Sequence, residues 1–258
     1  MTAGVSAPET DAQLATRLAV EAGRLLVDLR EEAQQLGAPS WQVMDAGDAV
    51  SHRFLVDELR RARPDDAVMS EEGSDDPRRF SRDHCWIVDP LDGTNEFGEH
   101  GRVDWAVHVA LWSEGRLSAG AVSLPALDLV FSTDHPPAVP PSQRPHPRLV
   151  TSRTRNPQSA VVVARALGCD AIRLGSAGAK TMAVILGEAD IYVHDGGMYQ
   201  WDSAAPIAVA LAAGLHASRL DGSPMAYNKA DAWLPDLIVC RPELADAALS
   251  ALSDAGWG

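Results

Sequence analysis

The chain has 258 residues, 46% of them apolar, enough for one large globular fold or two lobes sharing a core. Its 36 acidic against 22 basic side chains leave a formal charge of −14, which repels polyanions and argues against a nucleic-acid polymer as partner. No apolar run approaches the roughly 20 residues that a bilayer-spanning helix needs, and "MTAGVSAPETDAQ" lacks the basic start and apolar core of an export signal, so the cytoplasm is the expected address and no membrane partner is expected.

Thr10 or Asp11 starts a helix over 11–36, in which Leu14, Leu18, Leu25, Leu26 and Leu29 form one apolar face. Leu55 and Leu59 mark a second helix that "RPDD" ends. The period then becomes that of strands: "AVMS" (67–70), "CWIV" (85–88), "DWAVHVALW" (104–112), "RLSAGAVSL" (116–124) and "DLVFST" (128–133) predict an antiparallel sheet. The proline-rich "HPPAVPPSQRPHP" admits neither helix nor sheet. The chain is therefore divided into an N-terminal α+β lobe (1–134), a connector (135–147) and a C-terminal α/β lobe (148–258). In the last, strand-like 148–150, 171–174 and 190–194 alternate with helical 157–167, 178–187 and 203–213, before "DLIVC" and a helix after Pro242. Cys85, Cys169 and Cys240 are far apart, lack C-x-x-C spacing and read as buried reduced thiols.

The chemistry centres on "IVDPLDGTNEF" (87–97). Asp89 ends a strand, Pro90 turns the chain, Gly93 removes a side chain that would block a ligand from the backbone, and Thr94 starts the next element. Two carboxylates and the carbonyl between them can converge on a hard cation, because Mg²⁺ takes oxygen ligands and keeps some of its waters. The N–H groups of Gly93, Thr94 and Asn95 then point at an anion. Taken singly, "PLDG" is also an ordinary turn, "SEEG" (70–73) a solvated loop, and Asp202 in "WDSAAPIAVALAAG" (201–214) a helix N-cap.

In this order the motifs S-E-E-G, W-I-V-D-P-L-D-G-T and W-D-x-A-A before an Ala-rich helix resemble the inositol monophosphatase superfamily of magnesium-dependent, lithium-sensitive phosphatases, over most of the chain. The resemblance implies an α/β layered (αβαβα) sandwich, combining an antiparallel-sheet lobe with an α/β lobe. It puts Glu71, Asp89 and the carbonyl of Leu91 on one Mg²⁺, and Asp89, Asp92 and Asp202 on a second. Thr94 and Glu71 orient the attacking water, and Gly93 and Thr94 face the substrate. Such a group of bare acids would repel itself and any phosphate unless cations neutralised it. A further ion in the family uses the last Asp of a D-x-x-T-x-x-D segment. Here "GDAVSHRF" (47–54) supplies Asp48 and Ser51 but has Phe54 at that place, so two or three ions are expected.

"GSAGAKT" (175–181) is not a phosphate-binding P-loop, since Leu174 and Ala179 stand where that motif needs glycine. Gly175, Ser176 and Lys180 instead resemble the G-S-x-x-K segment of bacterial 3'(2'),5'-bisphosphate nucleotidases, and "MYQWD" and "YNK" fit the same branch. The resemblance implies hydrolysis of the 3'-phosphate of 3'-phosphoadenosine 5'-phosphate, a by-product of sulfate assimilation. A second phosphate wants fixed cations, for which Lys180, Arg153, Arg155 and Lys229 are candidates, Arg155 and Lys229 reading also as solvated charges. Tyr199 either stacks on a base or packs, and His194 reads as a loop residue. The alternatives are a broader phosphatase of inositol 1-phosphate and fructose 1,6-bisphosphate, and a silent binder of a phosphorylated metabolite. The family resemblance also implies a homodimer.

Overall fold

Thr10 caps the first helix in both directions: its Oγ1 accepts from the N–H of Gln13, and its own N–H donates to Gln13 Oε1, each at 3.2 Å. The computed structural model describes residues 8–257, so much of the stretch read above for an export signal lies outside the described residues, as does Gly258. Helix α1 (Asp11–Gln35) buries Leu14, Leu18 and Leu26, while Leu25 turns outward at 37% exposure. Helix α2 (Ser40–Ala62) buries Leu55 and Leu59 and ends just before Pro64.

The first sheet has the order β1-β2-β3-β4-β5, formed by Ala67–Ser70, His84–Asp92, Ala106–Ser113, Arg116–Leu124 and Leu129–Ser132. It is not wholly antiparallel as the strand pattern suggested, because β1 runs parallel to β2, from Ala67 beside Cys85 to Ser70 beside Val88. The 71–83 connection, which includes a 3-10 helix at Pro77–Ser81, is long enough for the crossover that parallel pairing requires. The second sheet has the order β10-β12-β8-β6-β7 and is mixed. Strand β6 (Arg148–Ser152) pairs parallel with β7 (Asp170–Leu174) and β8 (Ile191–His194). Strand β12 (Leu237–Cys240) pairs antiparallel with β8 and with β10 (His216–Ser218). A small ribbon joins β9 (Met198–Tyr199) to β11 (Trp233–Leu234).

Period-two alternation builds the layers. On β2, Trp86 and Val88 pack toward α1 and α2, whereas Cys85 and Ile87 face the central layer of α5 (Ala177–Ile185) and α6 (Gln200–Ala212). On β8, Tyr192 faces the same central layer while Ile191 and Val193 pack toward α4 (Gln158–Leu167) and α7 (Pro242–Asp254). The result is helix, sheet, helix, sheet, helix, the layered sandwich expected. A short α3 (Thr94–Gly98) follows β2. Residues 134–147 form no helix or strand, and the two sheets fall on either side of them. Cys85 and Cys240 are buried, Cys169 half-buried, and all three are free thiols. Among the described residues no helix is long and apolar enough to cross a membrane.

Candidate active site

The pairing of β2 with β3 explains how two acids three residues apart come to share a side. Asp89 sits beside His108 and Asp92 beside Ala106, so the register slips at a bulge around Pro90. Strict alternation would send Asp89 and Asp92 to opposite faces; the extra residue brings them back together. Both approach the fully buried His108, whose Nδ1 is 3.9 Å from Asp89 Oδ2 and whose Nε2 is 3.2 Å from Asp92 Oδ2. The turn is held from below: Ser51 Oγ donates to Pro90 O at 2.6 Å, and Thr94 Oγ1 donates to Leu91 O at 3.1 Å and to Asp48 Oδ1 at 3.3 Å. Gly93 has φ +89°, and a Cβ there would press on Ser176 Cβ at 2.9 Å.

The acids are not equivalent. Asp92 accepts the N–H groups of Ala177 at 3.1 Å and Gly178 at 2.6 Å, at the start of α5. Burial raises its pKa, but His108 and the Gly178 N–H outweigh burial and hold it below the usual carboxylate range. Asp89 is pushed well up by burial and then by Glu71, Asp92 and Asp202. Glu71, just past β1, is pushed up to about 7, first by desolvation and then by Asp202. Asp202 is pushed up to about 6 by burial and then by Asp92. It is the third residue of α6 rather than its N-cap, and its Oδ2 accepts the N–H of Tyr199 at 2.7 Å. Asp48 is raised to about 6, first by burial and then by Glu72.

Glu71, Asp89, Asp92 and Asp202 therefore form an oxygen-only, mutually repelling set, which suits a hard divalent cation better than a soft one. Among the described residues, no three His, Cys, Asp or Glu side chains already converge in ligating geometry. Part of the reason is that Asp92 and Asp202 spend oxygens on backbone N–H groups. The donor chemistry fits Mg²⁺.

A cleft of about 250 Å³ opens beside these acids. A larger hollow of about 640 Å³ lies behind α6 but has no acidic lining residue. In the cleft, Lys180 is only 4% exposed; its Nζ donates to Gly175 O and lies 5.4 Å from the centre of the Tyr192 ring. Burial pulls its pKa down to about 8. Arg155 also lines the cleft and donates from Nη1 to Gly197 O at 3.1 Å. Arg153 is not among the lining residues and pairs with Glu96 and Glu99. Ser176 is buried as the cap of α5, its Oγ accepting the N–H of Ala179 at 2.8 Å. Tyr199 stacks on Trp201, with centroids 4.8 Å apart, and meets Trp233 at the cleft wall. Lys229 is exposed, and Phe54 is packed against the apolar layer beneath α1 and α2. His194 is the last residue of β8 rather than a loop residue, with Nε2 2.9 Å from Gly197 O.

Three features were not legible beforehand. His108 lies under both acids; the only signal was an imidazole at an inward position of "DWAVHVALW". Of the two candidate cations Arg153 and Arg155, it is Arg155, which read also as a solvated charge, that lines the cleft. Trp233 is brought in by the β9–β11 ribbon, through a tertiary pairing with no local pattern.

The inositol monophosphatase family model matches residues 8–255, and the chain belongs to that family. It is similar to the 3'-phosphoadenosine 5'-phosphate phosphatase of Mycobacterium bovis, at 48% identity over 248 residues, covering 91% of this chain and 90% of that protein. The Mycobacterium leprae protein of the same name is 45% identical over 258 residues, covering 95% and 94%. Among solved structures, CysQ from Bacteroides thetaiotaomicron superposes with a TM-score of 0.77 at 25% identity, over 90% of this chain and 97% of that one.

Proposed function

We propose that the protein is a Mg²⁺-dependent phosphomonoesterase that removes the 3'-phosphate of 3'-phosphoadenosine 5'-phosphate, giving AMP and phosphate. The observation that carries the reading is one small cleft with the acid cluster, two cations and an aromatic wall: Asp92 and Asp202, Lys180 and Arg155, Tyr199 and Trp233. The similarity to the mycobacterial phosphatases supports the choice of nucleotide.

Glu71, Asp89, Asp92, Asp202 and the carbonyl of Leu91 are the groups that would hold two Mg²⁺. When bound, Mg²⁺ supplies charge neutralisation and a lowered pKa for coordinated water. The protein's own groups do the rest. Thr94 Oγ1, fixed between Asp48 and Leu91 O, and Glu71 orient the attacking water, and Glu71 takes its proton. Lys180 and Arg155 hold the 5'-phosphate away from the acids, since charged donors bind phosphate oxygens well. Tyr199 and Trp233 offer the base a π surface. Gly93 leaves the backbone open to the ester, Ser176 fixes the start of α5, and Arg153 locks α3 through Glu96 and Glu99. With this reading go the cytoplasmic address, the two-lobe division at 135–147, and the homodimer.

The test is inorganic phosphate released, with and without Mg²⁺, from 3'-phosphoadenosine 5'-phosphate, inositol 1-phosphate and fructose 1,6-bisphosphate in parallel. A strong preference for the nucleotide is expected. Equal rates would replace this reading with a broader phosphatase, and no release from any would leave a silent binder.

A further inference from the structure

The 71–83 connection that begins with Glu71 is anchored by a buried guanidinium. Arg79 is 1% exposed. Its Nε donates to Asp75 Oδ1 at 2.7 Å, Nη1 to Asn228 Oδ1 at 2.6 Å and Nη2 to Lys229 O at 2.8 Å, with Cζ 4.0 Å from the centre of the Phe80 ring. Desolvating such a group is costly unless every donor finds a partner, so its fan of acceptors is specific. Asn228 is buried with φ +55°, a left-handed conformation that its partner on Arg79 helps to hold.

The second half of the relay runs to α6. Lys229 O also accepts from Gln200 Nε2, and the Lys229 N–H donates to Gln200 Oε1, both at 3.3 Å. Gln200 is fully buried and is the first residue of α6, two before Asp202. Through contacts that span 149 and 150 residues of sequence, to Asn228 and Lys229, Arg79 thus ties the segment that follows Glu71 to the helix start that presents Asp202. It does not line the cleft.

We infer that Arg79 is a positioning residue: through Asn228, Lys229 and Gln200 it sets the separation of Glu71 and Asp202, and so the affinity of the acid cluster for divalent cation. The inference rests on the reading of those two carboxylates as cation ligands. Lysine at 79 keeps the charge but cannot reach three acceptors as a planar fork does.

The experiment measures Mn²⁺ binding without substrate, by the loss of the free-ion paramagnetic resonance signal, together with kcat and KM for 3'-phosphoadenosine 5'-phosphate. For Arg79→Lys, Mn²⁺ affinity and kcat fall on the order of 10–100-fold, as for partners that orient metal ligands, while KM stays near wild type. Gln200→Leu breaks the relay with Arg79 intact and gives the same pattern, deciding the matter alone if Arg79→Lys does not fold. The double variant is no worse than either single one, because both cut one chain of contacts. Unchanged Mn²⁺ affinity in a folded variant, a loss confined to KM, or additive losses would each overturn the inference. A wild-type protein that binds no Mn²⁺ overturns the cation reading and this inference together, whereas wild-type binding with no phosphate release faults the proposed reaction alone.

Discussion

The rings of Tyr199 and Trp233 meet edge to face with centroids 5.5 Å apart, and each is close to half exposed at the cleft. Two aromatic side chains left this exposed beside the acids give the base of the proposed substrate a surface to stack on. Trp233→Ala lowers kcat/KM for 3'-phosphoadenosine 5'-phosphate by about tenfold, within the range for loss of one stacking partner. Inositol 1-phosphate, which has no base, is turned over as before. Gly197→Ala reaches the same result by another route, since φ is +90° and a Cβ would fall 1.6 Å from Trp233 Cζ2. Parallel kinetics on the two substrates check this, and equal losses on both would remove the base-binding role.

Lys180 is the buried cation of the cleft, and its removal separates bisphosphate from monophosphate substrates. Lys180→Ala lowers kcat/KM for the nucleotide by roughly 10–100-fold, the worth of a hydrogen bond to a charged group, and inositol 1-phosphate much less. Equal effects on the two would mean that Lys180 does not hold the second phosphate.

Asp92 combines a short hydrogen bond from the start of α5 with a contact to His108. In Asp92→Asn an amide replaces the carboxylate and faces two N–H groups that it cannot satisfy as well. Phosphate release falls by at least about a hundredfold, and its dependence on Mg²⁺ weakens. A Mg²⁺ titration of the variant is the check, and near-normal release would remove Asp92 from the cation site. Lithium inhibition of the wild-type protein is the outcome expected with the proposed function, and a titration without effect at concentrations well above Mg²⁺ would contradict it.

Asp190 holds the proline-rich connector. It accepts from Arg241 Nε at 2.7 Å and from the Arg148 N–H at 2.8 Å, while Arg241 also donates to Pro140 O at 2.7 Å. Burial raises the pKa of Asp190, but the Arg148 N–H and Arg241 outweigh it and leave the group below its ordinary value. A carboxyl depressed in the fold stabilises at pH values above its unfolded pKa, and that stabilisation is lost as pH falls toward and through the folded value. Asp190→Asn costs about 3 kcal/mol near neutrality. The difference from wild type shrinks as pH drops below about 4. Denaturant melts of both proteins across this range test it, and a pH-independent difference would show that the charge is not what matters.

The site was legible where its geometry is local. A strand end, a turn and a helix start occupy consecutive residues at 87–97, so Asp89, Asp92, Gly93 and Thr94 could be read together. Alternation in strands and leucine spacing in helices, both of which are short-range, marked the elements, and the family resemblance implied how they layer. Parallel pairing of β1 with β2 was not legible, because the crossover between them has no strong periodicity of its own. The exchange of Arg155 for Arg153 was equally hidden: they are two residues apart after β6, and only the neighbouring Glu96, Glu99 and Gly197 decide which one faces the cleft.

The sequence by itself determined the elements, the family and the acids, because hydrophobic period, turn residues and motif order are properties of contiguous chain. The tertiary structure alone decided how the acids differ. Asp92 is kept charged by the start of α5 and by His108, whereas for Asp89 burial and the neighbouring acids prevail. Those neighbours come from distant parts of the chain, and electrostatic environment depends on distance in space, which no spacing in the sequence records.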